Sequence, residues 1–202
     1  MAVIFPIQLK RGFLIKTIFG FLSILCFINL ACASTSKQTN DFPPLETVPF
    51  VDIERYMGTW YEIGRLPQWF QRDCWASQAI YELHKSGKVK VLNRCQKLDN
   101  PQDIDDAKGV ARVVDEETNA KLKVSFVPLF KWWGWFSGDY WVLALDDDYQ
   151  FVMVGAPSRE SLWILSRSKT LDEIIVNELL DQAARDGFPV KDFELSPVWS
   201  AD

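Results

Sequence analysis

Short runs in which apolar and polar residues alternate recur along most of the chain. Such a period of two is typical of half-buried strands. Clusters of turn residues at 85–87, 116–119 and 147–149 separate neighbouring runs and leave no room for helical crossovers. The pattern predicts an antiparallel meander of eight strands, over residues 58–67, 74–84, 88–96, 108–115, 121–128, 139–146, 150–157 and 161–168.

After residue 168 the spacing of the apolar residues changes to about 3.6. This spacing predicts one helix over about 171–186, with Thr170 or Ser168 as its N-cap and Gly187 as its stop. The stretch 190–197 is a candidate for a short ninth strand. The apolar stripe of the helix is expected to consist of Leu171, Ile174, Ile175 and Leu179.

Eight strands with short connections fit an all-β, up-and-down barrel with the helix packed outside it. The interior of such a barrel is just wide enough to hold one small ligand. The composition, with 48% hydrophobic and 14% aromatic residues including nine Trp, requires a large core or an apolar pocket. A β-sandwich with a filled core has the same periodicity and stays an alternative.

Residues 1–31 have the pattern of a secretory signal peptide. Lys10, Arg11 and Lys16 precede an almost wholly apolar run that ends at Ala33. A transmembrane anchor is the rival interpretation, although about 17 apolar residues are at the short limit for a span. We expect this segment to be a targeting signal and not part of the folded domain.

Cys32 stands where bacterial lipoprotein signals have the cysteine that becomes the acylated first residue. Asn29 departs from the aliphatic residue usual at that position, so plain secretion and an uncleaved anchor stay open. Ala33 follows, and not the Asp that often retains lipoproteins at the inner membrane, which favours the outer membrane. Residues 32–48 are polar with a Pro-Pro pair and read as a flexible tether, before a barrel domain over 49–202.

The cysteine count fits export from the cytoplasm. Cys26 leaves with the signal and Cys32 takes the lipid, which leaves Cys74 and Cys95. An even number of cysteines in an oxidising compartment predicts a disulfide bond between them.

Charge and histidine content exclude several classes of function. A formal net charge of −5 argues against a nucleic-acid partner, which normally meets a basic surface. The one histidine, His84, adjoins a predicted turn and makes a His-rich metal site or a Ser-His-Asp triad improbable. The chain has no nucleophile elbow, phosphate-binding glycine loop or dinucleotide fingerprint, so we expect no metal and no cofactor.

Three short motifs resemble those of the lipocalin family. Gly58-Thr59-Trp60 matches the first motif, G-x-W, and Asp148-Tyr149 matches the second, with an aspartate in place of its threonine. Arg167 matches the arginine after the last barrel strand. The resemblance covers about residues 47–199 and is closest to the branch of bacterial outer-membrane lipoproteins and apolipoprotein D. It implies that these residues are structural, with Arg167 packed over Trp60 at the closed end of the barrel.

The resemblance also implies a pocket lined by Tyr81, Asn93 and Trp141. Because side chains alternate along a strand, an inward Trp141 implies an inward Leu143. Glu62 lies on the same face as Trp60 and is expected inside, paired with Arg112 or with a ligand's cation.

Charged residues identify the outer face of two further strands. Lys121 and Lys123 should face water, which leaves Leu122, Val124 and Phe126 inside. In the predicted strand 88–96, Lys88, Lys90 and Arg94 should likewise face water. The alternate residues are then inside, which are Val89, Val91, Asn93 and Cys95.

The end opposite the motifs is the expected mouth, formed by the loops 67–73, 97–107, 129–138 and 157–160. One of these loops is unusually aromatic, with Trp132, Trp133, Trp135 and Phe136. Three interpretations stay open: a lid on the cavity, insertion at a membrane interface, or a contact with a homodimer partner or another protein.

The leading hypothesis is binding, storage or transport of an apolar small molecule, a fatty acid or a lysophospholipid, without catalysis. The protein would be lipid-anchored through Cys32 at the outer membrane and face the periplasm. Two alternatives remain. One is an enzyme that acts on a lipid-like ligand through a free Cys95 thiol, as in lipocalins that resemble prostaglandin D synthase. The other is an envelope interaction protein with a filled core.

Overall fold

A computed structural model of the protein describes residues 42–126 and 136–201. The predicted meander is present. Its strands are β1 Gly58–Arg65, β2 Cys74–Leu83, β3 Val89–Lys97, β4 Ile104–Val113, β5 Lys121–Phe126, β6 Phe136–Leu145, β7 Phe151–Gly155 and β8 Leu162–Ser166. β4 and β6 begin earlier than predicted, because the ladders pair Gln96 with Ile104 and Phe126 with Phe136.

Each of these strands pairs antiparallel with the next along the chain, and β1 also pairs with β8. The sheet therefore closes into a barrel, as predicted. The filled-core sandwich is wrong, because the closed sheet encloses a cavity. A short strand, β9 (Glu194–Leu195), pairs with Gly64 and Arg65 at the end of β1 and covers less than the predicted 190–197.

Apolar side chains pack in two separate cores, on the two faces of the sheet. The inner core lies at the closed end of the barrel and includes Trp60, Val142 and Leu165. The outer core lies between the sheet and a helix, and it includes Leu143 and Ile164. Adjacent residues on a strand therefore pack into different cores.

The outer core is covered by helix α2 (Glu173–Arg185). Its N-cap is Asp172, whose carboxylate accepts from the N–H of Ile174, and not the predicted Thr170 or Ser168. The buried side chains are Val176, Leu179 and Ala183. The predicted stripe is thus correct at Leu179, which is buried, and at Leu171 and Ile175, which pack against the outer core. It is wrong at Ile174, which is 68% exposed because it lies about 140° around the helix from Leu179.

The helix ends at the predicted glycine. Gly187 has φ +89°, and the N–H groups of Gly187 and Phe188 donate to the carbonyls of Ala184 and Ala183, as in a Schellman motif. Neither α2 nor the short helix α1 (Ile53–Tyr56), within the ranges described, is long and apolar enough to cross a bilayer.

The three motif regions meet at the closed end of the barrel, as predicted. The Arg167 guanidinium lies 3.8 Å from the centre of the Trp60 ring and donates to the carbonyls of Thr59, Arg55 and Met57. Gly58 has φ +99°, and a Cβ there would lie 3.3 Å from the Arg167 guanidinium, so the first motif needs glycine.

Residues 42–51 form an extended strap along the outside of the barrel. Leu45 is buried in the outer core, and the N–H of Val48 donates to the carbonyl of Val142. At its far end the N–H of Val51 donates to Thr118 in the turn that joins β4 to β5. Residues 42–48 were predicted to belong to a flexible tether, but Leu45 packs in the outer core and Val48 packs against the inner core.

Candidate functional site

The barrel encloses a cavity of about 1280 Å³ that opens at one end. The mouth is formed by the loops after β1 and β3, which were predicted to lie there: Trp69, Phe70 and Leu98 line it. The closed end is formed by α1, whose Ile53 and Tyr56 line the cavity.

The walls of the cavity are largely apolar. They include the predicted residues Tyr81, Val91, Asn93, Leu122, Val124 and Phe126, together with Val89 and Cys95. The charge pattern of β3 and β5 therefore identified the inner face of these strands correctly. The small residues Ala79 and Ala111 also line the wall and leave the space open.

Trp141 and Leu143 do not line the cavity, and their predicted inward orientation is wrong. The ladder pairs Trp141 with Lys121 and Tyr140 with Leu122, so Trp141 shares the outer face with the lysine. The Lys121 Nζ lies 4.7 Å from the centre of the Trp141 ring. Leu143 is buried in the outer core under α2. The inward residues of β6 are Tyr140 and Val142.

Trp163 of β8 does line the cavity wall, and sequence reasoning missed it. Its Nε1–H donates to Oε1 of Gln71 at 2.9 Å, so it links the wall to the mouth loop. Alternation from the buried, outward Leu162 and Ile164 provides the signal that would have found it.

Three tyrosine hydroxyls form a polar cluster at the closed end of the cavity. The Tyr140 hydroxyl lies 2.7 Å from that of Tyr56 and 3.3 Å from that of Tyr81. Burial raises the pKa of all three hydroxyls well above the ordinary value of about 10, so the cluster is neutral. Partial burial lowers the pKa of the nearby Arg167, and the tyrosines act on it in the opposite sense.

Glu62 is buried and lines the cavity, as predicted, but Arg112 is not its partner. Its carboxylate accepts from Arg65, from Ser196 and, at 2.8 Å, from Nε2 of Gln71. Arg112 pairs with Lys123 across the ladder and lies on the outer face. The ion pair with Arg65 therefore satisfies the charge internally, without a ligand.

Cys74 and Cys95 form the predicted disulfide bond at the mouth, with their Cα atoms 5.3 Å apart. The bond joins the start of β2 to the end of β3. It also consumes the Cys95 thiol, which contradicts the catalytic mechanism that the enzymatic alternative required.

In the part of the chain that the structure describes, the cations that line the mouth are already paired. Arg94 Nε lies 3.1 Å from Asp106, and Lys97 Nζ lies 3.4 Å from Asp105. Further inside, the Oδ1 of Asn93 is buried, and no donor among residues 42–126 and 136–201 reaches it. The cavity thus offers a hydrogen-bond acceptor.

The remaining predictions concern the histidine, a metal site and the aromatic loop. His84 is exposed beside its turn, as expected, and its Nδ1 lies 2.8 Å from the Ser86 hydroxyl. Within the described part of the chain, no cluster of three His, Cys, Asp or Glu side chains has the arrangement of a metal site. Trp132, Trp133 and Trp135 lie outside the described residues, and of Phe136 only the backbone, in β6, is described.

The family model and the similar sequences all point to one family. The family model of the lipocalin-like domain matches residues 51–198. The chain is 38% identical to temperature-induced lipocalin-1 of Arabidopsis thaliana over 156 residues, 76% of this chain and 82% of the relative. It is 37% identical to outer membrane lipoprotein Blc of Escherichia coli K12 over 167 residues, 83% and 88% of the two chains.

One further sequence and one solved structure are also similar to this chain. The chain is 35% identical to apolipoprotein D of Cavia porcellus over 137 residues, 64% of this chain and 68% of the relative. The solved structure of insecticyanin from the tobacco hornworm Manduca sexta superposes with a TM-score of 0.62 at 20% identity, covering 77% of this chain and 85% of that one. At this identity the structural likeness supports the fold alone.

Proposed function

The chain belongs to the lipocalin family, and on this premise we propose that it binds a single-chain lipid, a fatty acid or a lysophospholipid, in the barrel cavity. Lipocalins bind small hydrophobic molecules. The observation that carries the proposal is the open cavity of about 1280 Å³, with walls such as Leu122, Val124 and Phe126. Pockets for drug-sized ligands measure roughly 300–1,000 Å³, so this one has room for a long acyl chain.

The charges around the cavity favour a lysophospholipid over a fatty acid. Arg94 and Lys97, the cations among the described lining residues, are each paired with an aspartate. Among residues 42–126 and 136–201, a bare carboxylate would therefore enter beside Glu62 without an unpaired lining cation. A hydroxyl or ammonium donor of a zwitterionic lysophospholipid would instead find the acceptor at Asn93.

Binding, storage or transport accounts for the site better than catalysis. The disulfide at Cys95 supports this interpretation, because the thiol of the enzymatic alternative is consumed. The neutral tyrosine cluster is a polar contact for a ligand and holds no ionised nucleophile.

We place the protein at the outer membrane, anchored through acylated Cys32 and facing the periplasm. The relatives named outer membrane lipoprotein Blc support this location. The lipoprotein-like signal before Cys32 supports the anchor.

A matched pair of substitutions tests the site. Val124→Asp puts a carboxylate into the cavity wall, whereas Val110→Asp puts one on the outer face of the neighbouring strand, where Val110 is 39% exposed. We expect Val124→Asp to weaken binding of a 16-carbon lysophosphatidylethanolamine about tenfold or more, since an unpaired buried charge costs well above 1.4 kcal/mol. Val110→Asp should leave the affinity unchanged.

Native mass spectrometry of protein purified without detergent provides the independent measurement. Co-purified lipid of one acyl chain, lost in the Val124→Asp protein, would support the proposal. Equal affinities of the two variants for lysophosphatidylethanolamine and for palmitate, with circular dichroism showing an intact barrel, would contradict it.

A further inference from the structure

The strap has a definite direction along the barrel. Phe42 and Pro43 lie at the mouth end, where Arg159 donates to the carbonyl of Pro43 and its guanidinium lies over the Phe42 ring. Arg159 belongs to the turn between β7 and β8. Gln68 of the mouth loop donates to Glu160 in the same turn at 3.0 Å. The chain therefore enters the fold at the mouth and runs from there to the closed end.

The length of chain between Cys32 and Phe42 limits how far the barrel can lie from an anchor at Cys32. Nine residues lie between Cys32 and Phe42. The ten Cα–Cα steps that join these two residues span at most about 33–36 Å. The ten residues of β2 extend about 33 Å along the strand and about 25 Å along the axis of a tilted barrel. An anchor at Cys32 thus reaches the mouth more readily than the closed end.

Exposed apolar side chains surround the same end. Trp69 is 56% exposed, Leu98 55%, Phe70 42% and Trp75 40%. We call these residues the mouth rim. Three of them also line the cavity, so the rim is continuous with the apolar interior. Exposed clusters of this kind mark interaction sites, and tryptophan is favoured at membrane–water interfaces.

We propose that the mouth rim is a docking surface for a phospholipid bilayer, so that the barrel mouth faces the membrane that holds Cys32. A single-chain lipid then passes between bilayer and cavity along apolar surface, without crossing water. The proposal rests on the proposed function for the anchor and the ligand. The direction of the strap and the apolar rim carry the orientation.

The charges at the mouth determine which interaction holds the mouth rim on a bilayer. Asp73 and Asp99 line the mouth, so Coulombic attraction to anionic head groups is opposed there. The rim therefore binds by apolar burial at the interface, and it suits a bilayer rich in zwitterionic lipid.

Photo-crosslinking tests the orientation with two matched pairs of positions. Leu98 and Phe70 lie on the rim, whereas Leu83 and Phe50 lie at the closed end and are 43% and 56% exposed. Each residue is replaced singly by p-benzoylphenylalanine in the full chain. The proteins are reconstituted on vesicles of phosphatidylethanolamine with a minor share of phosphatidylglycerol. After irradiation, mass spectrometry measures the adducts of the two-chain vesicle lipids apart from those of single-chain lipid, because Leu98 and Phe70 also line the cavity.

We expect about fivefold more lipid adduct at positions 98 and 70 than at 83 and 50, because only the rim enters the interface. Equal yields at both ends, or higher yields at the closed end, would overturn the proposal. The same variants carrying Cys32→Ser are measured in parallel. If vesicle flotation is the same with and without Cys32→Ser, the anchor of the proposed function fails, while the ratio between the two ends still decides whether the rim docks.

Discussion

At the scale of single residues, adjacent side chains on one strand have opposite roles. Tyr140 faces the cavity and contacts two other tyrosine hydroxyls, whereas Trp141 lies outside beneath Lys121. On β8 the order is reversed, since Trp163 faces inward and Ile164 packs under the helix. The composition of a strand therefore says little about its ligand contacts until its inner face is known.

The two tryptophans provide a matched test of this assignment. Trp163→Phe removes part of an inward ring and its hydrogen bond to Gln71. We expect the affinity for lysophosphatidylethanolamine to fall about 5- to 10-fold, or roughly 1–1.4 kcal/mol. Trp141→Phe should change the affinity less than about twofold, because its ring does not line the cavity. Fluorescence titration measures both, and a larger loss for Trp141→Phe would contradict the inner face assigned to β6 and β8.

The tyrosine cluster predicts a loss of stability at alkaline pH. Burial raises the pKa of Tyr56, Tyr81 and Tyr140 in the folded protein above the unfolded value of about 10. The free energy of unfolding should thus be independent of these groups below pH about 10 and fall as the pH rises further, because the unfolded chain releases their protons first.

Urea unfolding between neutral and strongly alkaline pH measures this slope. Tyr140→Phe removes one group and should make the slope shallower by up to about 1.4 kcal/mol per pH unit. Equal slopes for wild type and Tyr140→Phe would contradict the cluster.

At the scale of elements, α2 covers the outer core with a face centred on Leu179. Leu179 is 6% exposed and Ile174 is 68% exposed, although both belong to the apolar stripe predicted from spacing. Leu179→Ala should lower the free energy of unfolding by about 2–4 kcal/mol, through lost burial and the cavity left behind. Ile174→Ala should change it by less than about 0.5 kcal/mol. Urea denaturation of the two variants compares them, and similar losses would mean that the helix packs through another face.

At the scale of the whole molecule, the strap joins the barrel to its proposed anchor. Cys32→Ser removes the proposed acylation site and leaves residues 42–201 unaltered. We expect the protein to move from the membrane fraction to the soluble periplasm, because one weak apolar contact does not replace covalent lipid. Cell fractionation with labelled palmitate measures this, and an unchanged distribution without label on the wild type would contradict the lipoprotein anchor.

The sequence by itself predicted the eight-stranded meander, the outside helix and the inner face of β3 and β5. These features follow from local patterns: the alternation along one strand, the glycine of a helix stop, and lysines that must face water. The choice of a closed barrel over a sandwich and the packing of Arg167 over Trp60 were implied by the resemblance to the lipocalin family. The disulfide followed from the count of cysteines after the signal.

Only the tertiary structure decided the inner face of β6, the helix face, the partner of Glu62 and the path of the strap. The face of β6 depends on its register with β5, and its pattern is interrupted by a shift in pairing between Val142 and Ala144. Glu62 pairs with Arg65, with Gln71 from the mouth loop and with Ser196 from the far end of the chain. Arg65 is only three residues from Glu62, but strict alternation would put the two side chains on opposite faces, and the shift in pairing between Glu62 and Gly64 changes this. Ser196 is 134 residues away, so no local period records that contact.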